Sequence, residues 1–117
     1  MGAKTKINIM DNAKREFISH IGSKDVLCVD ILWVNSADGD KSSRFILPLN
    51  YSSKDFSNFL VALSFNYDDG YGGQELFGTI WYKDGSWSSR GEYDGSEWWN
   101  YNICPKIPSE LGGLILM

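Results

Sequence analysis

Glu92 and Glu97 are the two side chains whose types and surroundings come nearest to catalytic chemistry. Paired carboxylates beside tryptophans are typical of glycosidases, where one acts as an acid and the other as a base or nucleophile. The sequence does not set the distance between them and offers no activated nucleophile or base as a companion. His20 is the only histidine; a catalytic triad or a tetrahedral zinc site therefore lacks partners, and we interpret it as a surface or helix-end residue. We expect no enzyme, no metal site and no cofactor.

Two short segments begin like ligand-binding loops. Residues 38–42, Asp-Gly-Asp-Lys-Ser, space oxygen atoms as a calcium loop does, but the later glycine and the bidentate glutamate are missing. Residues 70–73, Gly-Tyr-Gly-Gly, lack the Lys-Ser/Thr pair and the helix that complete a phosphate loop. We interpret the first segment as a hairpin turn and the second as part of a longer loop over residues 66–73.

Aromatic residues make up 15% of the 117 residues and include five tryptophans, more than a core of this size needs. A chain of this length fits one domain, which we place at residues 1–117. The net charge of −4 is uneven, because residues 67–117 carry eight acidic and three basic residues. No basic stripe favours direct binding to nucleic acid. The acidic half indicates a basic protein surface, a cation or simply solubility.

The N-terminal ten residues lack an apolar stretch of secretory length, and no run approaches the roughly 18 apolar residues of a membrane span. Cys28 and Cys104 are too few for a disulfide framework, and whether they pair stays open. Cys28 lies in an apolar run and is interpreted as a small buried hydrophobe. We expect a cytoplasmic protein that does not bind membranes.

The first half of the chain predicts two helices and two strands. Residues 11–21 have a helical apolar face, with Asp11 or Asn12 as the cap and Gly22 as the stop. The apolar run 26–34 predicts a central strand covered on both sides, and residues 44–47 predict its partner, ending at Pro48. A Ser-x-x-acid cap at residues 52–55 opens the second helix.

The second half, residues 74–104, predicts a meander of three strands. Strands at 76–83, 86–93 and 96–103 are joined by Asp84-Gly85 and Asp94-Gly95, and each Asp-Gly pair suits a tight hairpin turn. An apolar tail follows at residues 111–117. The order α-β-β-α-β-β-β predicts an α+β fold, an antiparallel sheet of about five strands with two helices on one face.

Two-residue turns would fix the pairing of the meander. Gly78 would then face Gly91, with Trp98 lying over both glycines. The opposite face would be exposed and rich in the residue types of binding hot spots. Alternatively, helices cover both faces, or a three-residue turn shifts the register and reverses them. Together with the 66–73 loop, this face supplies our candidate partner-binding residues: Tyr67, Asp68, Asp69, Tyr71, Trp81, Arg90, Glu92, Glu97, Trp99 and Tyr101.

The stretch from Tyr67 through Tyr-Gly-Gly-Gln-Glu-Leu-Phe-Gly-Thr-Ile-Trp to Glu97-Trp98-Trp99 and Pro108 resembles small uncharacterised proteins of bacteriophages and mobile elements. The resemblance covers about forty residues. It implies a stoichiometric binder that blocks host machinery, including restriction or CRISPR nucleases, although a charge of −4 is weak for a nucleic-acid mimic.

We therefore expect a non-enzymatic binding or inhibitory protein, a monomer or weak homodimer, whose partner is a host or toxin protein with a basic surface. One alternative is an immunity protein that neutralises a co-encoded toxin. Another is a small-ligand or carbohydrate binder or hydrolase that uses the tryptophan-rich face.

Overall fold

The elements of the fold are known from a computed structural model that describes residues 10–35, 41–68 and 73–111. In chain order they are β1 (Met10–Asn12), α1 (Ala13–Ile21), β2 (Val26–Asn35), β3 (Lys41–Leu47), α2 (Ser53–Ala62), β4 (Asn66–Asp68), β5 (Leu76–Tyr82), β6 (Trp87–Tyr93), β7 (Ser96–Asn102) and a short 3-10 helix (Ser109–Leu111). The fold is α+β, with two helices and a five-stranded antiparallel sheet, as the sequence predicts. The predicted tail lies mostly outside the described residues.

Both helices begin at capping residues of the kind the sequence offers. Of the two candidates for α1, Asn12 is the cap, and its side chain accepts a hydrogen bond from the Arg15 amide at 3.0 Å. Gly22 follows α1 with φ of 55°, a conformation that favours glycine. In α2, Ser52 and Asp55 form a reciprocal capping box.

The core lies between the helices and one face of the large sheet, whose strand order is β3-β2-β5-β6-β7. Phe17 of α1 meets Phe59 of α2 edge to face, with ring centres 5.5 Å apart. Buried residues of β2, β3 and β5 lie beneath them: Val29, Ile31, Leu47, Leu76 and Ile80. The helices therefore share one side of the sheet.

The other side of the sheet is not covered by a described element, and the expectation that β2 is covered on both sides is wrong. Val29 and Ile31 are buried, whereas the alternating residues Cys28, Asp30 and Leu32 are only half-buried. An apolar run broken only by Asp30 does not distinguish these two cases, because it lacks the regular alternation that marks a one-sided strand. Cys28 is accordingly half-buried rather than buried, and neither it nor Cys104 is in a disulfide.

A short ladder occupies part of the segment that we predicted to be a loop. β1 and β4 pair antiparallel, with Asn12 opposite Asn66. The Asn12 side-chain amide donates to the side chain of Asn66 at 3.1 Å, and the amide of Ala13 donates to the carbonyl of Phe65 at 2.9 Å. These bonds join the start of α1 to the chain that follows α2.

The first hairpin of the meander has a three-residue turn, so the predicted pairing of β5 with β6 is shifted by one residue. The Tyr82 amide donates to the Ser86 carbonyl at 3.0 Å, and Gly85 adopts φ of 91° within the turn. Trp81 therefore pairs with Trp87, where the two-residue turn would place Tyr82 opposite Trp87. A one-residue shift exchanges the two faces of one strand relative to the next.

The second hairpin has the predicted pairing. Asp94 and Gly95 form a two-residue turn with φ values of 53° and 90°. Gly91 faces Trp98, as expected, and a Cβ at Gly91 would lie 2.7 Å from the Trp98 Nε1 atom. The shifted register of β5 and β6 does not place Gly78 opposite Gly91. On the other side of β5, Gly78 faces Ile31 of β2, and a Cβ at Gly78 would meet Asp30 and Ile31. The prediction that Trp98 covers both glycines is therefore wrong for Gly78.

Candidate functional site

The shifted hairpin divides the predicted binding residues between the two faces of the sheet. Trp81 lies on the uncovered face and is 40% exposed. Arg90 and Trp99, predicted to be exposed beside it, lie on the face that the helices cover. Tyr67 and Glu97 are buried on the same side. The expectation that Arg90, Glu97 and Trp99 share an exposed face with Trp81 is wrong, because the three-residue turn shifts β5 by one residue relative to β6, whereas β6 and β7 pair as predicted. Tyr67, predicted in a loop, lies in β4 and is buried.

The four buried residues form one cluster with Glu16 of α1, which we call the Arg90 cluster. Nη2 of Arg90 donates to Oε1 of Glu97 at 2.8 Å and to the Tyr67 hydroxyl at 3.0 Å. Nη1 lies 3.4 Å from Oε2 of Glu16. The other carboxylate oxygen, Oε1, accepts a hydrogen bond from the Tyr67 hydroxyl. The guanidinium carbon is 5.0 Å from the Trp99 ring centre. One cation thus joins α1, β4, β6 and β7.

Glu97 also completes the hydrogen bonding of β5. The paired residues of β5 and β6 run only from Thr79 to Trp81. Beyond them, Oε2 of Glu97 accepts the Glu75 amide at 2.7 Å and Oε1 accepts the Leu76 amide at 2.9 Å. A side-chain carboxylate therefore satisfies two backbone donors where the ladder has opened, as buried donors require.

The protonation states of the cluster follow from its burial and charges. Burial raises the pKa of Tyr67 far above its ordinary value, so the phenol stays neutral and remains a donor. Burial alone would lower the pKa of Arg90, but Tyr67, Glu16 and Glu97 raise it, so the guanidinium stays charged. Its Nε and Nη1 atoms form no hydrogen bond with the described residues. The Arg90 cluster therefore suits a structural role in holding α1, β4, β6 and β7 together, and its atoms are too buried to contact a binding partner.

His20 is the residue whose surroundings the sequence did not indicate. It lies in the last turn of α1, half-buried, and its Nε2 atom is 2.7 Å from the Ser88 hydroxyl, which is 2.7 Å from the Tyr82 hydroxyl. Its ring stacks on Trp99 with centres 6.2 Å apart. Burial, and then Arg90 and Lys24, lower the pKa of His20. A serine next to a histidine suggests a nucleophile, but Ser88 has no exposed surface and cannot reach a substrate.

The uncovered side of the sheet, which we call the open face, brings together side chains from all five strands. One row across four strands contains Cys28, Trp81, Trp87 and Asn102, and the next contains Asp30, Thr79, Ser89 and Asn100. Phe77 and Trp98 lie on the far side of that second row and are each 38% exposed. Ile46 and Arg44 complete the face on β3. Aromatic rings therefore flank a central polar row.

The polar groups of the open face are largely paired with one another. Arg44 donates through Nε and Nη2 to the two carboxylate oxygens of Asp30, at 3.0 and 2.8 Å. These hydrogen bonds lower the pKa of Asp30. The Trp98 indole donates to the Asn100 side chain at 2.9 Å, and the Asn102 amide donates to the Ser89 hydroxyl at 3.1 Å. The face carries no net charge and presents rings, hydroxyls and amides.

The acidic surplus of the second half lies around the open face and not on it. Asp84 is exposed in the first turn of the meander, and Glu92 and Asp94 are exposed at the second. Glu75 and Glu97 are buried. Tyr101, also a candidate, is exposed on the helix side, where the Lys24 ammonium lies 4.2 Å from its ring centre. The candidates Asp69 and Tyr71 and the side chain of Asp68 lie outside the described residues.

Comparison of the chain with protein-family models, with curated proteins and with solved structures finds no match. Within the described parts of the chain, no three side chains are grouped as metal ligands. In the same parts, no helix has the length and apolar character needed to cross a membrane.

Proposed function

We propose that this protein works by binding another protein through its open face and that it is not an enzyme. The proposal rests on one observation above all: Phe77, Trp81, Trp87 and Trp98, from three strands, lie together on a sheet face that no described element covers. Tryptophan dominates the energetics of protein interfaces, and exposed aromatic clusters of this kind mark interaction sites.

The shape and charge of the open face favour a protein partner with a basic rim. A depression of about 370 Å³ between Asp30, Arg44 and Phe77 offers a site for a protruding side chain. Glu92 and Asp94 at one end, and Asp84 beside Lys83 at the other, give the rim a net negative charge. Such rim charges act mainly on the rate of association.

The resemblance to phage and mobile-element proteins favours a cytoplasmic inhibitor that docks on a host protein. A defence nuclease of the restriction or CRISPR type is one candidate for that host protein. The free thiols of Cys28 and Cys104 agree with a reducing compartment. An immunity protein would use the same surface against a toxin encoded beside it.

A carbohydrate ligand is the second candidate, and the central polar row favours it. Thr79, Ser89 and Asn100 lie between the rings of Trp81 and Trp98, so hydroxyl and amide groups adjoin aromatic platforms. Sugars offer hydroxyls to such groups and apolar ring faces to tryptophan. A protein partner and a carbohydrate ligand would use the same aromatic surface, so the two proposals differ only in the class of ligand that is bound.

The test uses three variants of the full chain as bait in a bacterial lysate. Trp81→Ala and Phe77→Ala remove rings from the open face, and Val61→Ala removes an exposed apolar side chain from α2, on the helix side. A protein captured by the wild type is purified and its affinity is measured with each variant. We expect losses of about 2 kcal/mol for the two open-face changes and none for Val61→Ala.

Equal binding by all four proteins would overturn the proposal and assign the partner to another surface. The same variants are applied to immobilised polysaccharides. Retention that depends on Trp81, without a captured protein, would favour the carbohydrate ligand instead.

A further inference from the structure

The two edges of the large sheet differ in how well they are protected. β3 forms one edge and β7 the other. β3 carries the exposed charged residues Lys41 and Arg44 and is followed by Pro48. Charges and proline are the devices by which sheet edges avoid pairing with other chains. Within β7 itself there is no proline, and the one charged residue, Glu97, is buried.

We propose that β7 is a dimerisation edge and that it pairs antiparallel with β7 of a second copy of this chain. Among the described residues β6 is the only strand that pairs with β7, so the outer backbone groups of β7 have no strand partner. An antiparallel pair of identical strands is related by a two-fold axis, so each strand is the complement of the other. The product is one ten-stranded sheet.

The charge distribution along β7 fits a second copy. In an antiparallel two-fold pair only the residues at the axis meet their own duplicates, so a charge in the middle of the strand would be repelled. The exposed side chains of β7 are uncharged: Ser96, Trp98, Asn100 and Tyr101. The exposed Asp94 precedes the strand, and the exposed Lys106 follows it. An antiparallel dyad near Asn100 brings Asp94 of one copy to Lys106 of the other. The strand ends are therefore complementary and its middle is neutral.

The edge also has a place for an incoming side chain. A groove of about 430 Å³ lies between α1 and β7, and it is lined by Arg15, Glu16, Ser19, His20, Trp98 and Trp99. Tyr101 projects on the helix side of the sheet and is 41% exposed. In the antiparallel pair, Tyr101 of each copy faces the groove of the other and buries its ring beside Trp99. Aromatic side chains such as tyrosine and tryptophan are enriched at protein interfaces.

The experiment is sedimentation velocity of the full chain over a range of concentrations, with and without a reducing agent. We expect a reversible monomer–dimer equilibrium. Asn100→Asp keeps the acceptor of the Trp98 indole and places two like charges at the dyad, so the dissociation constant should rise about five- to tenfold. High salt should reverse part of that rise. Ser43→Asp makes the matched change on β3 and should leave the equilibrium unchanged.

Three other outcomes would overturn the proposal. A chain that stays monomeric at every concentration has no such edge contact. A dimer that is insensitive to Asn100→Asp but lost with Trp81→Asp is formed by the open faces. A dimer that disappears on reduction is held by the exposed Cys104. Melting temperatures of all variants are compared with the wild type, so that a loss of folding is not mistaken for a loss of association.

Discussion

Arg90 and Glu97 form an ion pair of 2.8 Å in which the two side chains are 2% and 0% exposed. They lie diagonally across β6 and β7, since Arg90 faces Trp99 and Glu97 faces Glu92. A buried ion pair gives little net stability by itself, because both charges lose their hydration. The ion pair instead fixes the position of the Glu97 carboxylate, which also accepts hydrogen bonds from the amides of Glu75 and Leu76. The pair therefore joins β7 to the start of β5.

Removing Glu97 should therefore be severe. Glu97→Ala leaves the Arg90 guanidinium without its closest counter-charge and two backbone amides without acceptors. We expect the free energy of unfolding to fall by about 3 to 5 kcal/mol. Urea denaturation followed by tryptophan fluorescence measures the change. Glu92→Ala is the matched control, because Glu92 is the exposed cross-strand neighbour of Glu97, and it should cost less than about 0.5 kcal/mol. Equal costs would mean that Glu97 is not buried as described.

Trp99 and Trp81 should respond oppositely to truncation. Trp99 is 8% exposed beneath α1, so Trp99→Ala leaves a cavity and should lower the free energy of unfolding by about 3 to 5 kcal/mol. Trp81 loses mainly its cross-strand contact with Trp87, and Trp81→Ala should cost about 1 kcal/mol. Thermal and urea unfolding of both variants provide the comparison. A larger loss for Trp81→Ala than for Trp99→Ala would contradict the three-residue turn and would favour the two-residue turn, in which Trp81 and Trp99 lie on the same face of the sheet.

Gly78 and Gly91 should tolerate a methyl group to different degrees. A Cβ at Gly78 would lie 2.4 Å from the Asp30 carbonyl oxygen, which is backbone and cannot move without disturbing β2. We expect Gly78→Ala to cost about 2 to 3 kcal/mol. At Gly91 the close atoms belong to the side chains of Trp98 and Asn100, which can shift, and about 1 kcal/mol is expected. Gly73→Ala, with open space around it, serves as the control in the same denaturation series.

The architecture was accessible from the sequence because it depends on local signals. Caps at Asn12 and Ser52, the helical apolar faces and the two Asp-Gly pairs predict the two helices and the three strands of the meander. These features act over a few residues, so neighbouring residues are enough to interpret them. The α+β class and the antiparallel sheet follow from their order.

The site was not accessible, because it depends on one residue in one turn. Asp-Gly fits a two-residue turn at Asp94 and a three-residue turn at Asp84, and the dipeptide does not distinguish them. The choice at Asp84 decides whether Arg90 lies beside Trp81 or on the opposite face. The Ser88–His20 contact joins residues 68 apart in sequence, and no local pattern signals it.

His20 should make the stability of the fold depend on pH in the neutral to mildly acidic range. Burial and the nearby Arg90 and Lys24 lower its pKa in the folded state below the usual value of about 6.5. The unfolded chain therefore binds the proton more readily, so stability is full above about pH 6.5 and is lost as the pH falls through the unfolded pKa towards the folded one.

His20→Gln keeps a hydrogen-bonding group near Ser88 and removes the titration, so the difference in unfolding free energy between wild type and variant should shift in favour of the variant as pH falls. Urea denaturation at several pH values measures that difference, and carboxylates shared by both proteins cancel. The chain has one histidine, so its imidazole proton signals give the folded pKa directly by NMR. A folded pKa above 6.5, or a difference that does not change with pH, would contradict the position of His20 against Trp99 and Arg90.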